Sequence, residues 1–134
     1  MIIVLSTYPD RKSAETAATM MVEQELAACV NIVKIEGSVY RWEGKVVKSG
    51  ECLLVIKTTN YRPVESYILK NHPHKVPEII QLEVSDGSRD YLSWVRGNSA
   101  PSPFKVPLER SATRRASRPS RASINARKPR TSSR

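Results

Sequence analysis

Residues 28–59 read ACVNIVKIEGSVYRWEGKVVKSGECLLVIKTT, and the fold turns on how this stretch is read. Its centre, Trp42-Glu43-Gly44-Lys45, has the form of a hairpin turn, because Gly44 can take the positive φ that tight turns require. A strand-like segment lies on each side, Ala28 to Tyr40 before the turn and Val46 to Thr59 after it. Alternation in the second sends Cys52, Leu54 and Ile56 to one face and Leu53, Val55 and Lys57 to the other. Gly37 marks a break or a bulge in the first. Both segments exceed the usual strand length of about 5–6 residues, so their ends are expected to project beyond one subunit.

Upstream, Ile2 to Thr7 is a continuous apolar run closing in polar residues, the pattern of a central strand buried on both faces. Pro9 stops it, and Asp10 is placed to cap a helix. Ala14, Ala17, Ala18, Met21 and Val22 then recur at helical spacing as one apolar stripe, small enough to lie close on a sheet. Downstream, Asn60 is placed to cap a second helix whose stripe is Val64, Tyr67, Ile68, Asn71 and His72. Pro63 is tolerable in its first turn, Pro73 ends it, and Pro77 keeps the connection extended. Ile79 to Val84 reads as a fourth strand. Asp86-Gly87-Ser88 turns the chain into a short helix carrying Tyr91, Leu92, Trp94 and Val95, with Ser88 as its cap. The order β-α-β-β-α-β-α describes an α+β, ferredoxin-like sandwich of two βαβ halves joined by a long hairpin, plus a short C-terminal helix.

The charge is divided just as unevenly. Of 134 residues, 1–98 carry seven Lys and five Arg against twelve acids, and are neutral. Residues 99–134 carry two Lys and eight Arg against Glu109 alone, so the entire net charge of +9 sits there. That segment also holds eight Ser and five Pro but only four residues among Leu, Ile, Val and Phe, too few to offset the entropy of folding. The division is therefore a folded domain over 1–98 and a disordered basic tail over 99–134. Non-specific contact with a polyanion is the partner chemistry that the tail offers. No run approaches the ~18–20 apolar residues of a membrane span. The N-terminus has no secretory pattern, and two cysteines outside any CxxC arrangement do not make a disulfide scaffold, so the expected compartment is the cytoplasm. GxSxG, P-loop, GxGxxG and HExxH templates are all missing, which reads as a non-enzyme without an organic cofactor.

Five short strings then become specific together. Glu25-Leu-Ala-Ala-Cys29-Val-Asn31, Tyr40-Arg-Trp42-Glu-Gly44-Lys45, Ile56-Lys57-Thr58-Thr59, His72-Pro73 with Pro77-Glu78, and Asp90-Tyr91-Leu-Ser-Trp94 occur in the order and approximate spacing of the CutA family of divalent-ion-tolerance proteins. The chain resembles that family over residues 2–96. The resemblance implies a trimer of PII-like architecture, with hairpin arms pairing onto neighbouring subunits. It also implies a divalent metal ion as ligand, copper being the one associated with the family. Where members carry a coordinating histidine this chain has Asn71, and where some carry a cysteine near the end of the first strand it has Ser6.

His72 and Glu78 flank a short proline link, so an imidazole and a carboxylate could meet on one cation, with His74 two residues on. Alternatively His72 simply closes its helix, where a partly positive ring suits the C-terminal dipole. Cys29 matches a family cysteine and is the soft candidate ligand. Its alternative is inert packing, since no cationic residue adjoins it in sequence. Lys57 ends an otherwise apolar strand and is placed either to meet an anion in a cleft or to lay its stem on apolar surface. Tyr40, Trp42, Tyr91 and Trp94 are expected at the subunit interface, where aromatics are favoured. A second function, sensing of a small anion or a partner protein at inter-subunit clefts, stays open beside the metal reading.

Deleting 99–134 is expected to leave the melting temperature nearly unchanged and to abolish retention on DNA at low salt. Thermal melts and a salt-graded DNA column check both halves of that statement.

Overall fold

The computed structural model describes residues 1–99. Its elements run β1 (Ile2–Tyr8), α1 (Arg11–Glu23), β2 (Cys29–Trp42), β3 (Lys45–Thr58), α2 (Tyr61–Asn71), β4 (Ile80–Glu83) and α3 (Arg89–Asn98). The four strands form one sheet in the order β2-β3-β1-β4, with every neighbouring pair antiparallel. This is the split βαβ arrangement of a ferredoxin-like fold. Residues 100–134, most of the expected tail, lie outside the described residues.

Pairing of Tyr8 with Cys52 and of Ile2 with Thr58 sets the phase of the sheet. Val4, Ser6 and Tyr8 of β1 and Cys52, Leu54, Ile56 and Thr58 of β3 are buried on one face. Helices α1 and α2 cover that face with Ala14, Ala17, Ala18, Met21, Val64, Tyr67 and Ile68. The alanines let α1 lie close to the strands, as their size requires. Val22 departs from the expected stripe and is 41% exposed, because the stripe that meets the sheet ends at Met21. Nor is β1 buried on both faces: Ile3, Leu5 and Thr7 are only half-buried, since both covering helices lie on the other side.

The caps show which local signals carried through. Asp10 Oδ1 accepts from the Ser13 N–H at 2.7 Å, and Ser88 Oγ accepts from the Tyr91 N–H at 3.4 Å. Asn60 occupies the expected cap position, but its side chain makes no capping bond. At the far end of α1, Leu26 N–H reaches the Met21 carbonyl and Glu25 N–H the Val22 carbonyl, at 2.8 and 3.0 Å. These two bonds make a Schellman motif in which Glu25 (φ 61°) takes the left-handed place usually given to glycine. Glu43 (φ 51°) and Gly44 (φ 81°) are left-handed at the hairpin tip, the conformation of a type I′ turn.

Between the Ile35/Glu51 and Ser38/Ser49 pairs, β2 has two residues where β3 has one, so the bulge lies at Glu36-Gly37. It shifts the alternation of β2 by one residue. Tyr40 and Trp42 consequently share a side of the arm with Val47, which is 2% exposed, and Tyr40 hydroxyl bonds Ser49 Oγ at 3.2 Å. Helix α3 is anchored through buried Val95 and through Ser99, whose carbonyl accepts from Thr59 Oγ1 at 3.2 Å. Ser99, one residue past the expected boundary, is fully buried.

Two substitutions probe this framework in opposite directions. Asp10→Ala removes a capping acceptor and is expected to lower stability by about 1 kcal/mol. Ser6 is fully buried, and its hydroxyl finds no hydrogen-bond partner among the described residues. Ser6→Ala removes that buried hydroxyl and is expected to raise stability by roughly 1 kcal/mol. Urea unfolding of both variants beside the parent checks the two signs.

Candidate functional site

His72 is the C-cap of α2 and is 4% exposed. Its Nδ1 accepts from the His74 backbone N–H at 2.9 Å, which requires that nitrogen to be unprotonated. The proton therefore sits on Nε2, which donates to the Thr7 carbonyl at 2.7 Å. The ring packs between Tyr8 and His74, with centroid separations of 4.3 and 5.0 Å. Both nitrogens are thus engaged by the backbone, and the imidazole is neutral. It meets neither the metal reading, which needs an available lone pair, nor the charged-ring alternative. Its structural effect is to tie the start of the 72–78 link to the end of β1. Burial beneath this cluster pushes the Tyr8 phenol far above its ordinary pKa, with Tyr67 adding to the effect.

Glu78 lies at the other end of that link, exposed. Its carboxyl is raised above the ordinary glutamate value, chiefly by partial desolvation and secondarily by the charge of Glu51. Extending the β1–β4 register past Leu5/Ile80 sets Glu78 level with Thr7, on the sheet face that the helices leave open. Glu51 projects to the same face from β3, beyond Leu53. Sequence reasoning missed Glu51, which stands 27 positions before Glu78 in a strand with no acidic pattern. Only the register brings the two carboxylates near each other.

Cys29 and Lys57 are cross-strand partners at the opposite end of the open face. The Lys57 ammonium lies 4.0 Å from Cys29 Sγ and donates to Asn31 Oδ1, so Cys29, which has no cationic neighbour in sequence, has one in space. A neighbour 28 residues away in sequence supplies one. This contact opposes a metal ion at the sulfur, because the ammonium would repel it. His72, Glu78 and Cys29 do not come together. Among the described residues no group of three or more His, Cys, Asp or Glu is arranged to hold a metal ion.

Between these ends, the open face is a grid of Ile3, Leu5, Val33, Leu53, Val55, Ile80 and Leu82. Val33, Ile80 and Leu82 are 45–47% exposed. The four aromatics divide. Tyr40 and Trp42 are half-buried over Val47 within their own arm, whereas Tyr91 and Trp94 are exposed and stack on each other at 5.7 Å. On the reverse side of the arm Val39 and Val46 are exposed at 65% and 60%. A separate groove of about 350 Å³ lies between the start of α1 and the root of the arm. Pro9, Arg11, Ile32, Lys34, Glu51 and Cys52 are among the residues lining it, and none of the expected ligands does. No helix among the described residues is long and apolar enough to cross a membrane.

The family model described as "CutA1 divalent ion tolerance protein" matches residues 2–98. A "Divalent-cation tolerance protein CutA" from Thermus thermophilus is 44% identical over 99 residues, covering 72% of this chain and 96% of the relative. A solved structure of the divalent cation tolerance protein from Thermus thermophilus superposes with a TM-score of 0.72 at 44% identity, covering 75% of this chain and 100% of that one. "Protein CutA, chloroplastic" from Arabidopsis thaliana is 42% identical over 100 residues, 73% of this chain and 55% of the relative. A structure described as the periplasmic CutA of Archaeoglobus fulgidus aligns at 29% identity and a TM-score of 0.71, covering 75% of this chain and 100% of that one. These last two relatives are named for two different compartments, and neither is the cytoplasm expected here. On the extent of the family match and the identity to these relatives, the chain belongs to the CutA1 family of divalent ion tolerance proteins.

Proposed function

We propose that the protein works as a homotrimer that binds divalent cations, copper among them, and takes part in the response to metal ions in the cytoplasm without turning over a substrate. The observation that carries the assembly is the open sheet face. Seven apolar side chains on it have no covering layer among the described residues, and an apolar patch of that kind is a surface for association. The sheet also ends on β4, whose four residues are all exposed, and on the long β2. Pairing with neighbouring chains removes such edges. The exposed Tyr91 and Trp94, and the Val39/Val46 side of the arm, extend the surface offered to a neighbour. Tyr40 and Trp42 support it by stiffening the arm.

For the cation, the support is Glu78. Its carboxyl and that of Glu51 raise the negative potential at one end of the same face, where a divalent ion relieves their repulsion. His72 acts as the residue that holds the link in place, and Cys29 stands apart from the ion. The described residues of one subunit do not supply a full set of donors, so the remaining ligands come from elsewhere in the assembly or from water. The second reading, a small anionic ligand at an inter-subunit cleft, is favoured by Lys57, whose ammonium pairs with no carboxylate among the described residues. Contact of a polyanion with the 99–134 tail rests on its charge of +9.

Light scattering on the full chain is expected to give three times the mass of one subunit. Introducing charge with Val33→Lys and Leu82→Lys together is expected to split that species, whereas a parent that is already monomeric at micromolar concentration ends the assembly reading.

The cation reading has its own test in Glu78→Gln. A carboxyl whose pKa rises on folding favours the fold while protonated, and that contribution is lost as the pH rises through its folded pKa. At neutral pH the ionised Glu78 is therefore a small liability, and the variant is expected to melt slightly higher than the parent without metal. With Cu(II) or Zn(II) added, the parent is expected to gain melting temperature and the variant to lose that gain. An equal gain in both proteins places the cation elsewhere.

A further inference from the structure

Neither the cation reading nor the assembly reading uses the Asp86-Gly87 step between β4 and α3. Val84 N–H is held by the Met1 carbonyl at 3.3 Å, and Ser88 caps α3 through its bond to the Tyr91 N–H. Residues 85–88 are exposed and belong to no helix or strand. Within them Asp86 Oδ1 accepts from the Gly87 N–H at 2.8 Å, so the carboxyl lies against the next residue's nitrogen. Gly87 has no side chain to bar a closer approach. The chain's other aspartates, Asp10 and Asp90, are held differently. Asp10 Oδ1 is taken by the Ser13 N–H, and Asp90 lies within α3, where the following N–H, of Tyr91, is bonded to Ser88 Oγ. Each also precedes a bulky residue, Arg11 or Tyr91.

We propose that Asp86 is a site of isoaspartate formation, and that the change uncaps α3. The Gly87 nitrogen attacks Cγ of the Asp86 carboxyl. An N–C bond forms, the C–OH bond breaks, and the hydroxyl leaves with the amide proton as water. The five-membered imide then takes up one water. Opening at the original main-chain carbonyl breaks its C–N bond and leaves the backbone running through the former side chain, with a free α-carboxylate. One water is released and one consumed, so the product is an isomer of the parent and no co-reactant is needed. Holding the reacting groups in contact beforehand is what makes an intramolecular attack effective. A segment without regular secondary structure can turn further toward the attack geometry, whereas helix or ladder bonds would have to open first. Isomerisation lengthens the main chain by one methylene two residues before the Ser88 cap. It therefore shifts Ser88 Oγ away from the Tyr91 N–H, one of the free donors at the start of α3.

The test incubates the full chain at physiological temperature and pH for several weeks and digests it with trypsin. The peptides are then treated with isoaspartyl carboxyl methyltransferase and labelled S-adenosylmethionine, which marks the new α-carboxylate. Label is expected in Val76–Arg89, the peptide that contains Asp86, and not in the peptides of Asp10 and Asp90. Asp86→Glu, which forms no five-membered imide, is expected to lose it. An Asp-Gly step also reacts in a free peptide, so the deciding comparison is with synthetic peptide 76–89. A folded loop held back by the strength of one hydrogen bond would react roughly tenfold slower than the peptide. The folded chain is expected to stay within that factor, and stronger protection overturns the proposal. Hydrogen exchange on the isomerised fraction reads the uncapping. Its Tyr91 amide is expected to exchange faster than the parent's, and equal exchange overturns that half of the proposal. An unlabelled Val76–Arg89 overturns both.

Discussion

Alternation along β3 constrains nearly everything else in this subunit. Cys52, Leu54, Ile56 and Thr58 lie beneath α1 and α2, and a strand cannot bury them without sending Leu53, Val55 and Lys57 to the opposite side. Because β1 and β2 pair with β3 in fixed register, the same division passes to Val4, Ser6 and Tyr8 and to Cys29, Asn31 and Val33. Among the described residues, two helices cover one face of the four strands, and the second apolar face carries no covering layer. The open apolar face is thus a consequence of how the core is filled.

The bulge at Glu36-Gly37 is the one place where that division is broken. Without it, the odd-numbered series of β2 would continue through Val39 and Arg41, and Tyr40 and Trp42 would fall on the other side of the arm. With it, the two aromatics close over Val47, and the arm gains a small core of its own beyond the helices. A hairpin this long would otherwise be held by little more than its ladder, since an isolated two-stranded ribbon is marginal in water. The arm can therefore stay ordered while presenting Val39 and Val46 outward.

Polar groups follow the same geometry. His72 is placed by the end of α2, but its state is set by the end of β1 and by the turn at His74, which occupy its two nitrogens. At opposite ends of the open face, the register sets two carboxylates together at Glu51 and Glu78, and a lysine against a thiol at Lys57 and Cys29. The face is thus electrically divided, anionic at one end and cationic at the other, with an apolar field between them.

Much of this was legible in the chain itself, and for a local reason. Strand alternation, helix stripes, the caps at Asp10 and Ser88 and the turn at Gly44 all depend on residues within a few positions of each other. The element order and the family resemblance could accordingly be read before any coordinates. The exceptions were positions where tertiary structure overrode the local preference: Glu25 and Glu43 in left-handed conformations usually given to glycine, Asn60 at a cap without its side-chain bond, and Val22 outside its stripe. The site was less legible. Cys29, Lys57, His72 and Glu78 could each be picked out by residue type, but their partners stand 28, 28, 65 and 27 positions away. Those partners are fixed by strand register and helix packing, which arise only when distant segments close on one another. Only the tertiary structure could decide that Cys29 meets an ammonium, that His72 is neutral and already bonded, and that Glu78 shares its end of the sheet with Glu51.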